Sequence, residues 1–114
     1  MGRLKNIFKL SSKITLYIPS TKEVNREIDN TEHVEQAAKL FSWLFGGSTS
    51  TPGLGYWISN KGLVKEKVDL VFAYASEKDL KEKIDQVIDY AERLKKELSQ
   101  ESIALEINGE MYFI

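Results

Sequence analysis

Glycines and small hydroxyl side chains are concentrated in one short run, in the order Gly46, Gly47, Ser48, Thr49 and Ser50. Glycine lets a ligand approach the backbone closely, and such a run is rich in hydrogen-bonding groups. It could therefore hold a polar or anionic ligand. It has neither the lysine nor the spacing of a P-loop, and it follows a predicted helix C-terminus, whose dipole repels anions. An ordinary helix cap and loop is the alternative.

Two neighbouring aromatic residues, Tyr56 and Trp57, follow this run. Because successive strand residues point to opposite faces of a sheet, at least one ring should lie away from the helices. A ring there could stack on a base or on a partner's side chain. The alternative is that the rings anchor the core or a dimer interface. The candidate ligand-binding residues are Gly46, Gly47, Ser48, Thr49, Ser50, Tyr56 and Trp57.

Carboxylates could carry acid and base chemistry, since several lie on or beside predicted strands. These are Glu66, Asp69, Glu101 and Glu106. Their separation is not fixed by the sequence, and solvated charges or ion pairs with Lys65 and Lys67 are the alternative. No catalytic residue can be assigned from the pattern.

Metal and thiol chemistry have little support. The single histidine, His33, has no metal-ligand partners near it and is interpreted as a partly exposed helix residue. The absence of cysteine excludes disulfides, thiolate nucleophiles and thiolate zinc sites. We expect no metal and no cofactor.

Two helices are predicted from apolar residues that recur every three or four positions. The first spans residues 31–45, with Asn30 or Thr31 as N-cap, and ends at the glycine pair. The second begins after Ser76, which can cap it together with Asp79.

Strands are predicted where apolar residues alternate or aromatics cluster. A first strand covers 13–18, two strands at 54–59 and 63–75 form a hairpin, and Asn108-Gly109 turns a C-terminal hairpin. The polar stretch 20–30 is interpreted as a loop with at most one helical turn. Val24 falls in this stretch.

The element order is β-α-β-β-α-β-β, which is typical of an α+β, ferredoxin-like fold with one extra terminal strand. Both helices should cover one face of an antiparallel sheet. The other face would be bare, and we expect it to form a homodimer or higher homo-oligomer interface, or a ligand surface. Residues 1–114 form one predicted domain, in which residues 1–12 are basic and could be flexible.

Charge and hydropathy exclude several classes of function. With 16 basic and 17 acidic residues the net charge is -1, so nucleic-acid binding is disfavoured. Arg3, Lys5, Lys9 and Lys13 make the N-terminal end locally basic, and the three lysines interrupt any signal-peptide core. No apolar run is long enough to cross a bilayer. A cytoplasmic protein without a membrane partner is expected.

Three segments carry a resemblance to a known group of proteins. They are 13–20 (KITLYIPS), 44–50 (LFGGSTS) and 99–108 (SQESIALEIN). In these segments the chain resembles a family of small uncharacterised bacterial and mobile-element proteins, from plasmids or phages. The resemblance implies a cytosolic accessory protein and carries over no catalytic residue.

Two functions stand ahead of a third, which is purely structural self-association or a DNA-binding accessory role through the basic N-terminus. The first is a non-catalytic accessory protein that holds a small polar or nucleotide-like ligand, or a protein partner, through residues 46–57 and the open sheet face. In a phage or plasmid it could modulate host functions. The alternative is a small dimeric ferredoxin-like enzyme acting on a nucleotide or metabolite, with groups such as Glu101, Ser48 or Thr49 in the site.

Overall fold

A computed structural model describes residues 2–23 and 26–114 of the chain. Two helices and seven strands follow a short 3-10 turn at Leu4–Asn6. In chain order they are β1 (Ser12–Pro19), β2 (Thr21–Lys22), β3 (Arg26–Glu27), α1 (Thr31–Phe45), β4 (Thr49–Ser59), β5 (Gly62–Ala75), α2 (Glu77–Glu97), β6 (Ala104–Ile107) and β7 (Glu110–Phe113).

The main sheet has five antiparallel strands in the order β4-β5-β1-β6-β7. Strand β1 lies in the middle and pairs with β5 from Ser12↔Ala75 to Pro19↔Val68. Both helices pack on one face. The predicted α+β class, the element order β-α-β-β-α-β-β for the main sheet and its helices, and the two helices on an antiparallel sheet are confirmed.

The core lies between the helices and the sheet. Alternate residues of β1 face it because strand side chains point to opposite sides in turn. The largest fully buried side chains are Phe41, Ile14, Leu16, Ile18, Leu94, Ile103, Leu105, Val71 and Val87. The residues between them, such as Thr15 and Tyr17, therefore lie on the opposite face, which we call the open face.

Side-chain capping explains where α2 begins but not where α1 does. Ser76 Oγ accepts the backbone N–H of Asp79 at 3.1 Å, as predicted for α2. At α1 the side chain of Asn30 does not cap the helix. Its Nδ2 instead donates to Ile18 O, Pro19 O and Asp69 Oδ2, so Asn30 joins the helix start to two strands.

Two predicted boundaries were wrong. Strand β4 begins at Thr49 rather than Leu54, so the predicted loop 48–53 is mostly strand. Pro52 is tolerated there because β4 is an edge strand. Gly53 fits because a Cβ would come within 3.3 Å of Leu70 Cδ1. The predicted loop 20–30 contains the small β2–β3 hairpin, and Val24 lies outside the described residues.

The β4–β5 hairpin extends beyond the rest of the sheet. Residues 54–59 and 62–67 pair with each other and, in the described part, with no third strand. We call these two segments the ribbon. The described chain measures 54 × 27 × 21 Å. None of the helices described is both long and apolar enough to span a bilayer.

Candidate functional site

The glycine and hydroxyl run 46–49 closes the C-terminus of α1. Gly46 has φ +92°, the left-handed conformation that ends a helix, and its N–H donates to Ser42 O. Ser48 Oγ donates to Ala38 O at 2.9 Å and shares a hydrogen bond of 2.8 Å with Ser42 Oγ. The hydroxyl of Ser48 is thus used within the fold, as the cap-and-loop alternative anticipated.

A cavity of about 380 Å³ nevertheless lies against this run. Gly46, Gly47, Ser48 and Thr49 form one side of it. No atom lies within 4 Å of where a Cβ would stand on Gly46 or Gly47, so the backbone is open to a ligand. The remaining lining residues are Leu10, Phe45, Phe72, Ala73 and Tyr74. The cavity therefore combines an accessible backbone with aromatic walls.

The other three candidate residues lie elsewhere. Ser50 is exposed and pairs with the core residue Val71, so it lies on the helix side of β4. Tyr56 and Trp57 belong to the ribbon and are 56% and 46% exposed, on opposite faces. Trp57 lies eight residues beyond Thr49, roughly 26 Å along a strand. Within one chain, the aromatic pair and the cavity cannot hold the same small ligand.

A polar pair lies at the middle of the open face. Tyr17 Oη donates to Glu106 Oε1 at 3.0 Å, joining β1 to β6. Partial burial, followed by the hydrogen bond and the charge of Glu106, raises the pKa of Tyr17 above its ordinary value. Tyr17 is therefore held in its neutral form as a donor, and Glu106 presents a carboxylate to the open face.

The cavity and this pair are joined by one row of residues across the sheet. The row runs through directly paired positions of four strands, from Thr49 to Phe72, Thr15 and Glu106. Thr15 is only 4% exposed although it belongs to the open face. At the usual strand spacing Thr49 and Glu106 are about 14 Å apart. An elongated metabolite could touch both ends.

A cation lies beside the row. Lys13 Nζ is 4.5 Å from the centre of the Phe72 ring and 5.7 Å from that of Tyr74. The two rings meet edge to face, with centres 6.2 Å apart. Lys13 is therefore held by aromatic faces at the boundary between the cavity and the open face.

The other sequence candidates for chemistry take structural or exposed positions. Asp69 accepts a hydrogen bond from Asn30, and Glu101 is exposed. Glu66 is half-buried on the ribbon, beside a second cavity that Trp57 also lines. His33 Nδ1 lies 3.7 Å from Glu97 Oε2, between the two helices and away from the open face. No group of three potential metal ligands forms among the residues described.

Sequence reasoning named Glu106 only as one of four carboxylates, and it missed Lys13, Thr15 and Tyr17. A usable pattern was present. Glu106 stands between the core residues Leu105 and Ile107, and Tyr17 stands between Leu16 and Ile18. Polar residues between core positions of interior strands must share the face opposite the helices. What the pattern lacked was the strand order that makes β1 and β6 neighbours.

Of the comparisons with known proteins, the one with solved structures gives matches. No protein-family model matches the sequence, and no curated protein matches it. Two solved structures are similar over nearly the whole chain: a phage SAM lyase in complex with S-methyl-5'-thioadenosine and a phage SAM lyase in the apo state. The first has a TM-score of 0.66 at 14% identity, covering 95% of this chain and 94% of that chain. The second has a TM-score of 0.65 at 15% identity, with the same coverage.

These similarities correct the sequence-based function. The predicted non-catalytic accessory binding protein, a modulator of host functions, was wrong, because the structures that share this fold are those of an enzyme. The alternative, a small enzyme acting on a nucleotide or metabolite, is better supported. The mobile-element part of the family resemblance agrees with the phage source of those structures. At this low identity the similarity establishes a fold like that of phage SAM lyase.

Proposed function

We propose that this protein is an enzyme that cleaves S-adenosylmethionine and releases S-methyl-5'-thioadenosine. The observation that carries the proposal is the full-length likeness to a phage SAM lyase bound to that thioether. A fold can host unrelated functions, so the proposal also needs a site on this chain. The row across the open face is the site that we propose.

The shape of S-adenosylmethionine fits the order of features along the row. Its adenosyl end would enter the cavity against the open backbone of Gly46 and Gly47 and the ring of Phe45. Its amino-acid end would then reach Glu106, whose carboxylate attracts the ammonium group. Tyr17 fixes that carboxylate by donating to Oε1. This arrangement retains Gly46, Gly47 and Thr49 as ligand-binding residues.

The electrons of the proposed reaction balance without an oxidant, a reductant or a metal. The bond between the sulfonium sulfur and the γ-carbon of the amino-acid part breaks, and its electron pair stays on sulfur. The γ-carbon bonds to an oxygen of the substrate's own carboxylate in a lyase, or to the oxygen of water in a hydrolase, in which case the water loses one proton to the solvent. Because the positive charge disappears from sulfur, a site that excludes water favours the reaction. The mass of the four-carbon product distinguishes the two routes.

Substitution of Glu106 tests this proposal. We expect the wild-type protein to convert S-adenosylmethionine to S-methyl-5'-thioadenosine, measured by liquid chromatography and mass spectrometry. Glu106→Gln should lower kcat/KM by about 10- to 100-fold, because a charge-assisted hydrogen bond contributes about 1.5–3 kcal/mol.

The matched control is Glu101→Gln, which removes a charge from an exposed position near β6. It should leave kcat/KM unchanged, and both variants should melt within a few degrees of the wild type. If the wild type forms no S-methyl-5'-thioadenosine, the proposed function fails. If Glu101→Gln and Glu106→Gln lose equal activity, Glu106 is not in the site.

Self-association is a second part of the proposal. The ribbon has exposed apolar side chains on both faces: the directly paired Ile58 and Leu63 on one face, 76% and 66% exposed, and Trp57 on the other, 46% exposed. Such large apolar surfaces on a small protein are usually covered by a partner. We expect a homo-oligomer that covers the ribbon and part of the open face.

A further inference from the structure

The rings of Phe72 and Tyr74 form a cation site that the chain fills with its own lysine. The Nζ of Lys13 lies within 6 Å of both ring centres, the range in which the negative face of an aromatic ring attracts a cation. Both rings also line the cavity beside the glycine run. A cation bound there would stand where the cavity opens onto the row.

The position of Lys13 is fixed by its backbone and not by an ion pair. Its N–H donates to Asn108 Oδ1 at 2.8 Å, and its carbonyl accepts the N–H of Asn108 at 3.0 Å. No carboxylate lies within salt-bridge distance of Lys13 in the part of the chain described. The ammonium group rests on the rings alone, at the end of a flexible four-carbon stem. Another cation could replace it without breaking a salt bridge.

We propose that the Phe72–Tyr74 ring pair is the subsite for the sulfonium group of the substrate, and that Lys13 is a placeholder which leaves when the sulfonium arrives. The inference rests on the proposed function for the identity of the ligand. It adds a position for the reacting sulfur, between the cavity that takes the adenosyl group and Glu106.

The charge of Lys13 should discriminate between sulfonium ligands and neutral thioethers. A sulfonium can occupy the ring faces only after displacing the ammonium of Lys13, so Lys13 opposes binding of the charged substrate. The thioether product carries no charge on sulfur and gains nothing from the rings as a cation site. Removing the ammonium should therefore tighten binding of sulfonium ligands and leave neutral thioethers unaffected.

The first test compares ligands that differ in the charge on sulfur. S-Adenosylhomocysteine is the neutral thioether counterpart of S-adenosylmethionine and serves as a competitive inhibitor. Lys13→Met should lower KM for S-adenosylmethionine by about two- to fivefold, the range for an exposed cation–π contact, with an unchanged Ki for S-adenosylhomocysteine. Lys9→Met, a matched change in the exposed N-terminal segment, should alter neither value. Equal changes in KM and Ki for Lys13→Met would overturn the inference.

The second test does not depend on enzymatic activity. Trimethylsulfonium, the simplest sulfonium ion, is titrated while the ring resonances of Phe72 and Tyr74 are followed by NMR. We expect saturable shifts that strengthen in Lys13→Met, while the Phe72 shift weakens in Tyr74→Leu, which removes the more distant ring and changes a half-exposed side chain. If these shifts are absent, the sulfonium subsite is wrong even where S-adenosylmethionine is cleaved. If they are present without cleavage, the cation site stands and the proposed function fails.

Discussion

At the scale of single residues, Tyr90 links the two helices. Its hydroxyl donates to His33 O at 3.0 Å, and its ring lies 5.5 Å from the guanidinium carbon of Arg93. Burial, and then the charge of Glu97, raise the pKa of Tyr90 to about 12. The folded protein therefore favours the neutral phenol.

Ionisation of Tyr90 should lower the free energy of unfolding at alkaline pH. The pKa of Tyr90 in the unfolded chain is about 10. Its contribution to the free energy of unfolding is therefore constant below pH 10 and is lost as the pH rises from 10 to 12. The loss attributable to this group is about 2–3 kcal/mol, since each pKa unit corresponds to about 1.4 kcal/mol. Urea unfolding at pH 9, 10, 11 and 12 measures it.

Tyr90→Phe should cost about 1 kcal/mol at pH 7 through the lost hydrogen bond, and should show a shallower fall between pH 10 and 12. Tyr56→Phe changes an exposed ring and should follow the wild-type curve. If the free energy of unfolding falls equally steeply with pH in Tyr90→Phe and in the wild type, Tyr90 is not buried as described.

At the scale of elements, the end of α1 determines the shape of the cavity. Three contacts close it: the left-handed Gly46, the hydroxyl of Ser48 on Ala38 O, and Lys83 Nζ, which donates to Leu44 O at 2.8 Å. The last links α1 to α2. Because these groups satisfy carbonyls at the helix end, the chain turns directly into β4 and places Thr49 beside Phe72.

The neighbouring glycines of this turn give a matched pair of variants. Gly46→Ala places a Cβ on a residue with φ +92° and should destabilise the fold by about 1–2 kcal/mol. Gly47 has no such conformation and no atom within 4 Å of its missing Cβ, so Gly47→Ala should change stability by less than about 0.5 kcal/mol. Thermal and urea unfolding of both variants check this. Equal losses of stability in the two variants would mean that the left-handed conformation of Gly46 does not make a side chain unfavourable there.

At the scale of the whole molecule, the chain is more extended than a compact domain of its length. Its Cα radius of gyration is 15.6 Å, against about 13 Å for a compact domain of about 100 residues. The ribbon accounts for part of this excess, since residues 54–67 lie beyond the third strand. An isolated two-stranded ribbon is marginally stable in water, so a second copy that covers it would stabilise it.

The apolar ribbon should therefore control self-association and not folding. We expect Ile58→Ser combined with Leu63→Ser to reduce the subunit count in native mass spectrometry, with little change in the far-UV circular dichroism. Exposed Trp43 lies on α1, away from the ribbon, and Trp43→Ser is the control that should leave the subunit count unchanged. A wild-type monomer at micromolar concentration would contradict the proposed homo-oligomer.

The sequence by itself determined the two helices and the C-terminal turn, because local patterns fix them. The three- and four-residue apolar spacing and the glycine pair located α1 at residues 31–45, and Ser76 with Asp79 located the start of α2. Asn108 and Gly109 both have positive φ, at 52° and 85°, as the predicted turn requires. These features depend on neighbours within a few positions, which any reader of the sequence can see.

Only the tertiary structure decided which of the candidate side chains meet. Tyr17 and Glu106 are 89 positions apart and meet because β1 and β6 are adjacent strands. Tyr56 and Trp57 are close in sequence to the glycine run, yet an extended strand carries them roughly 26 Å from Thr49. Local periodicity says which face a side chain joins, but strand order and strand length decide which side chains meet on that face. The glycine and hydroxyl run therefore lies at the cavity without Tyr56 and Trp57, and the polar pair at the centre of the open face could not be predicted from the sequence.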